Sequence, residues 1–251
     1  MTRLPSERYL AALDADAGRI LDLTRTPGAL AAAVPACPGW TVADLVRHLG
    51  GVYLHKAESV RLGRRAPDDE VDQGPAGDEA LLAWFAEALA DIRSVVGGDP
   101  ERAAYSWWAA DQTVGFWARR MAQETLVHRV DVEQALGLAP DVDEALAADG
   151  VDEVLVAFLP VWLPADGAAA GVRDDLRAHV AVAAAGREWD VRVEGLSAVV
   201  AAGPSGAVDR VSGPADALLL WAWGRAGSAG FDVVGEEGVA VLREVLRGAT
   251  Q

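Results

Sequence analysis

Apolar residues recur at helical spacing over the first half of the chain and alternate with polar ones only in its last third. From Ser6 to about Thr24, Leu10, Leu13, Ile20 and Leu23 share one helical face until Pro27-Gly28 breaks the pattern. Thr41 with Asp44 three residues on has the form of a capping box. It predicts a second helix carrying Val42, Leu45, Val46, Leu49, Val52 and Leu54 towards Leu62. Ala66 to Gly77, rich in Asp, Pro and Gly, reads as a solvated loop. A third helix is predicted over Asp78 to Val96 on the stripe Leu81, Leu82, Phe85, Leu89, Ile92 and Val96, closed by Gly97-Gly98-Asp99-Pro100. A fourth runs from about Val114 to Leu136, and a further helix from Val142 to about Leu159. Four long helices joined by loops predict an up-and-down four-helix bundle.

Pro164 to Gly171, dominated by Ala and Gly, reads as a linker, so the expected domains are residues 1–164 and 172–251. Beyond it Leu176, Ala178, Val180 and Val182 alternate with Arg177, His179, Ala181 and Ala183, and Trp189, Val191 and Val193 with Asp190, Arg192 and Glu194. These are the marks of half-buried antiparallel strands. Pro214 opens a helix through Leu218 to Trp223, Phe231 to Val234 is a short strand, and Glu236 to Leu246 a closing helix. The fold class expected is a two-domain α+β protein, a helical bundle followed by a small α+β domain. There is no internal repeat.

Charge narrows the partners. Thirty-eight acidic against 22 basic residues give a formal charge of −16 over 251 residues, which disfavours nucleic acid and anionic membrane surfaces. No uninterrupted run of 18 apolar residues and no signal-peptide pattern is present, so a cytoplasmic monomer acting on a small molecule is expected. Cys37 is the one cysteine. That excludes an internal disulfide and a thiol-rich cluster, and leaves nitrogen and oxygen ligands for any metal.

Four histidines can be weighed individually. Glu124 and His128, four apart on the fourth helix, lie on one face and could share a metal ion or form an ordinary surface pair. Trp117, Met121 and Ala135 mark the same face, so it should point inward. A carboxylate there needs a cation, either Arg120 one turn back or a metal. His48, on the second helix before Gly50-Gly51, offers a third ligand; paired helical glycines are costly unless they make room for something. Two histidines and a glutamate form a ligand set used by catalytic zinc, with a position left open. His-Glu-x-x-His, Gly-x-Ser-x-Gly and phosphate-cradling glycine loops are absent, which removes the usual peptidase, serine-hydrolase and nucleotide signatures. His55 suits packing, Asp44 is explained by the capping box, Asp131 could orient His128 or simply pack, and His179 faces solvent. Trp40, Trp107, Trp108 and Trp117 could line a site.

The segments Val34-Pro35-Ala36-Cys37-Pro38-Gly39-Trp40-Thr41-Val42, Asp44-Leu45-Val46-Arg47-His48-Leu49-Gly50 and Glu124-Thr125-Leu126-Val127-His128-Arg129-Val130-Asp131-Val132-Glu133 resemble the mycothiol-dependent maleylpyruvate isomerase family. Leu218-Leu219-Leu220-Trp221-Ala222-Trp223-Gly224-Arg225 resembles a helix of that family's C-terminal domain more weakly. The resemblance implies a DinB-like N-terminal domain and a divalent metal, zinc first, on His48, Glu124 and His128. It further implies mycothiol as thiol cosubstrate and a C-terminal arginine serving the active site, for which Arg225 is the candidate. With Lys56 the one lysine, the Ala-, Gly-, Val- and Asp-rich composition is what GC-rich coding produces, in keeping with an actinobacterial thiol. The implied chemistry is thiolate addition to a cis keto-acid, rotation and elimination, or S-transfer to a small electrophile, with Arg225 or Arg120 holding a substrate carboxylate. A non-catalytic metal- or ligand-binding protein and a metal-dependent hydrolase are the alternatives.

Overall fold

The computed structural model describes residues 3–67, 72 and 74–250. Positions 68–71 and 73 of the expected Ala66 to Gly77 loop lie outside the described residues. The chain divides into two compact units, Leu4–Pro140 and one built on Asp141–Gln251.

In the N-terminal unit the apolar stripes form the four expected helices: α1 (Ser6–Thr24), α2 (Val42–Leu62), α3 (Asp78–Val96) and α4 (Val114–Ala135). Helix α1 packs on α4 and α2 on α3, with α2 also against α4. Leu13, Ile20, Leu45, Leu49, Tyr53, Leu81, Phe85 and Ile92 are fully buried between them. Thr41 and Asp44 complete the capping box that starts α2, Asp44 N–H donating to Thr41 Oγ1 and Thr41 N–H to Asp44 Oδ2. The loops ahead of α2 and α4 are each cinched by an isolated antiparallel bridge, Ala33 with Thr41 and Ala103 with Thr113. Both helices therefore start from fixed points. Further along, the Tyr53 and Thr125 hydroxyls, 2.6 Å apart, tie α2 to α4.

Helix α4 is buried at every position from Val114 to Glu133 except Glu124, charged residues included. Buried charges persist only when paired. Arg129 accordingly lies 2.5 Å from Glu133 and 2.8 Å from Asp16 of α1, and Arg19 lies 3.1 Å from Glu133.

In the C-terminal unit, α5 (Glu144–Asp152), a wider π-helical stretch (Glu153–Phe158) and α6 (Leu159–Asp166) follow one another without a break. The expected end near Leu159 and the boundary at 164–171 both fall later than the division at Asp141 or inside this helical run. Proline explains the first difference. Pro160 lacks an N–H and its ring crowds the carbonyl four residues back, a strain that the π turn just ahead of it takes up, so the helix passes a residue that normally stops it. Packing explains the second, because α5 lies against α7 (Ala215–Ala222) and α6 against α8 (Glu236–Thr250).

The sheet has order β3-β2-β1-β4-β5, with β1 (Arg177–Ala184), β2 (Arg187–Glu194), β3 (Ser197–Ala202), β4 (Asp209–Ser212) and β5 (Asp232–Val234). β1 and β2 are antiparallel as expected, joined by Ala185-Gly186 at φ 49° and 73°. β1 and β4 are parallel. Trp189, fully buried, donates Nε1–H to Asp152 Oδ1 at 2.8 Å and locks β2 onto α5. Among the described residues no helix is long and apolar enough to cross a membrane.

Candidate metal centre

His48 of α2 and Glu124 and His128 of α4 converge, with one ligand atom from each lying within 4.8 Å of the others. His48 Nε2 is 3.5 Å and His128 Nε2 3.4 Å from Glu124 Oε1. These separations exceed an ordinary N–H···O bond. They match the edge of a tetrahedron around zinc, about 3.4 Å for donors about 2.0–2.1 Å from the ion. The donor set and its spacing thus fit a divalent metal held by two imidazoles and one carboxylate oxygen.

Two of the three candidate residues have their other polar atom occupied. Glu124 Oε2 accepts from Arg120 Nη2, one turn back on α4, and Arg120 is 3% exposed. Of the two counter-charges posed as alternatives by the sequence, Arg120 takes Oε2, which leaves Oε1 as the oxygen that could face a metal. His128 Nδ1 is 2.9 Å from Oδ2 of fully buried Asp131, which settles Asp131 as a partner of His128. With Nδ1–H donated there, Nε2 faces Glu124 and His48. The ring of His48 lies 5.1 Å from that of Trp40, at the end of the cinched loop, and 5.1 Å edge-on to that of His128. His48 is 38% exposed at its side chain and Glu124 16%, so the cluster opens at the His48 side.

Without metal, burial opposes ionisation of Glu124, yet Arg120 and the nearby imidazoles of His128 and His48 hold its carboxyl well below the usual range. Burial also disfavours charged His128. Its hydrogen bond to Asp131 and the Glu124 carboxylate beside it outweigh that and push it up to about 9.

Other candidates fall elsewhere. Gly50 makes room for a side chain, not a ligand: a Cβ there would come within 2.3 Å of the Trp84 ring. His55 is buried, its Nε2 2.9 Å from the Ala66 carbonyl, in keeping with packing. Asp44 serves the cap. Trp107 and Trp108 pack on Phe116, and Trp117 donates Nε1–H to the Tyr105 carbonyl at 2.5 Å. His179 is only part-exposed and engages Asp190 at 2.5 Å. Arg225 stands in the C-terminal unit, on the turn after α7, where Nη1 donates to the Trp223 carbonyl at 2.6 Å.

The chain thus combines a four-helix unit carrying a His, Glu and His cluster that could hold a metal ion with a small α+β unit. Residues 10–133 match the family model of the mycothiol maleylpyruvate isomerase N-terminal domain, and the N-terminal unit belongs to that family. Two solved structures share the fold of the whole chain at 14% identity, covering 94% of this chain and 97% of theirs. One is the mycothiol-dependent maleylpyruvate isomerase (TM-score 0.58) and the other a histidine-to-alanine mutant of the enzyme of that name (TM-score 0.60). No curated protein matches the chain in sequence.

Proposed function

We propose that this protein is a metal-dependent enzyme that activates a small thiol, mycothiol, for cis-trans isomerisation of a small keto-acid or for S-transfer to a small electrophile. The observation that carries the reading is the convergence of His48, Glu124 and His128 with one free donor atom each. Membership of the N-terminal unit in the mycothiol maleylpyruvate isomerase family supports the choice of thiol. A divalent ion on two neutral imidazoles and one carboxylate retains positive charge, which favours an anionic further ligand and holds a thiol as its thiolate at neutral pH.

The chain's own residues have distinct parts in this. Buried His128 and nearly buried Glu124 are fixed on one helix, so they set the depth of the site, while part-exposed His48 forms its mouth. The Trp40 ring packs on His48 and limits where that imidazole can turn. Arg120 is engaged by Glu124, so its part is to neutralise and hold that ligand, not to receive a substrate carboxylate.

Zinc-loaded protein incubated with mycothiol and a panel of cis-enoyl keto-acids and electrophiles, analysed by mass spectrometry, tests the reading. Isomer or thiol conjugate should form only with the thiol present. Turnover without thiol would move the protein to a hydrolase class, and stoichiometric zinc with no turnover of any substrate favours the non-catalytic alternative.

A further inference from the structure

We infer that Arg120 and Asp131 are positioning residues that decide how the metal is held: Arg120 restricts Glu124 to one ligating oxygen, and Asp131 fixes His128 as an Nε2 donor. The inference rests on the metal reading of the cluster and goes beyond it. The two residues act from opposite sides of the ligand pair, Arg120 one turn before Glu124 and Asp131 one turn after His128 on the same helix.

A carboxylate can grip a cation with both oxygens. Glu124 cannot do so while Oε2 is held by Arg120, because turning Oε2 to the ion would break an ion pair with a guanidinium that is 3% exposed. One oxygen and two imidazole nitrogens make three donors, so a coordination position stays open for an exchangeable ligand. Imidazole presents a similar choice, since either nitrogen can ligate. Asp131 is fully buried, and its Oδ2 lies 2.9 Å from Nδ1 of His128, which places the proton on Nδ1 and the lone pair on Nε2. The carboxylate also makes the imidazole a stronger donor.

The test uses the full-length chain and readouts independent of turnover. Zinc affinity is measured by competition with a chromophoric chelator, and coordination number from the visible absorption of the cobalt(II)-substituted protein. Asp131→Asn, close in shape and without the charge, should weaken zinc binding about 10–100-fold; Asp131→Ser serves if the first variant does not fold. Arg120→Gln frees Oε2, so its cobalt spectrum should weaken markedly relative to wild type as Glu124 adds a second oxygen and the coordination number rises. Arg120→Lys, which reaches Oε2 through a single nitrogen, should move the same way by less. An Asp131 variant with wild-type zinc affinity overturns the role of Asp131, and a cobalt spectrum unchanged in both Arg120 variants overturns that of Arg120. Wild-type protein that takes up no stoichiometric zinc overturns the metal reading itself, and this inference with it.

Discussion

Arg120 and Glu124 stand one turn apart on α4 and are joined through Nη2 and Oε2, so that Glu124 Oε1 alone faces the imidazoles of His48 and His128. One side chain thereby serves as counter-ion to a buried guanidinium and as a candidate ligand. Removing it should have two separable effects.

Glu124→Gln keeps the shape and removes the charge. Arg120 is then left buried without its carboxylate, which should destabilise the metal-free protein by about 3–5 kcal/mol. Stoichiometric zinc binding should also be lost, because only two imidazoles remain. Urea unfolding of the metal-free protein and zinc content after dialysis check the two effects; a variant that unfolds like wild type would show that the ion pair contributes little to stability.

The two histidines should differ in what they contribute to the fold. His48 is 38% exposed at its side chain, so His48→Ala should lower zinc affinity while changing metal-free stability by no more than about 0.5 kcal/mol. His128 sits between Glu124 and Asp131 and is 8% exposed at its side chain. His128→Ala should abolish zinc binding and also bring the fold down by about 3 kcal/mol or more, since two carboxylates lose a shared partner. Equal stability losses in the two variants would contradict this division.

These contrasts also show which features were legible before any coordinates. The helices could be read because each buries one stripe against neighbours in its own unit, and the 3.6-residue period reports that directly. The common face of Glu124 and His128 follows from the same geometry. That His48 joins them was suggested by chemistry and resemblance, since no local pattern on α2 reports what lies across on α4. Asp131 stayed ambiguous because spacing cannot distinguish a side chain aimed at Nδ1 from one that merely packs. Strand β4 is hidden for a different reason: Asp209-Arg210-Val211-Ser212 holds one apolar residue, and it pairs with β1 across a long sequence separation. The helix expected to end near Leu159 runs on to Asp166, because a π turn absorbs Pro160.

Gly50 tests the packing that the glycine pair makes possible. A Cβ at this position would lie 2.3 Å from Cζ3 of Trp84, whose Nε1–H is bonded to Asp72 Oδ2 at 2.9 Å. Ala gains about 1 kcal/mol of helix propensity over Gly, and crowding costs typically about 1–3 kcal/mol. The ring is pinned at its other end, so the cost should prevail. Gly50→Ala is expected to destabilise by about 1 kcal/mol and to shift tryptophan emission as the Trp84 ring is displaced. A more stable variant with unchanged emission would mean that the ring moves aside freely.

Asp16 gives the N-terminal unit a pH dependence of definite sign. Burial pushes its carboxyl up to about 6, against the opposing pull of Arg129 and with Glu133 adding to the rise. For an acid whose pKa is higher folded than unfolded, the contribution to stability is fully present below the unfolded value of 3.8 and is lost as pH rises through about 6. Between pH 4 and pH 7.5 wild-type protein should therefore lose up to about 3 kcal/mol from this group. Asp16→Asn lacks the titration, so its stability relative to wild type should improve over that interval, whatever the constant cost of losing the 2.8 Å contact with Arg129. Urea unfolding of both proteins at several pH values reads the difference directly. A flat difference would mean that Arg129 holds Asp16 ionised throughout, and that the pair outweighs the burial.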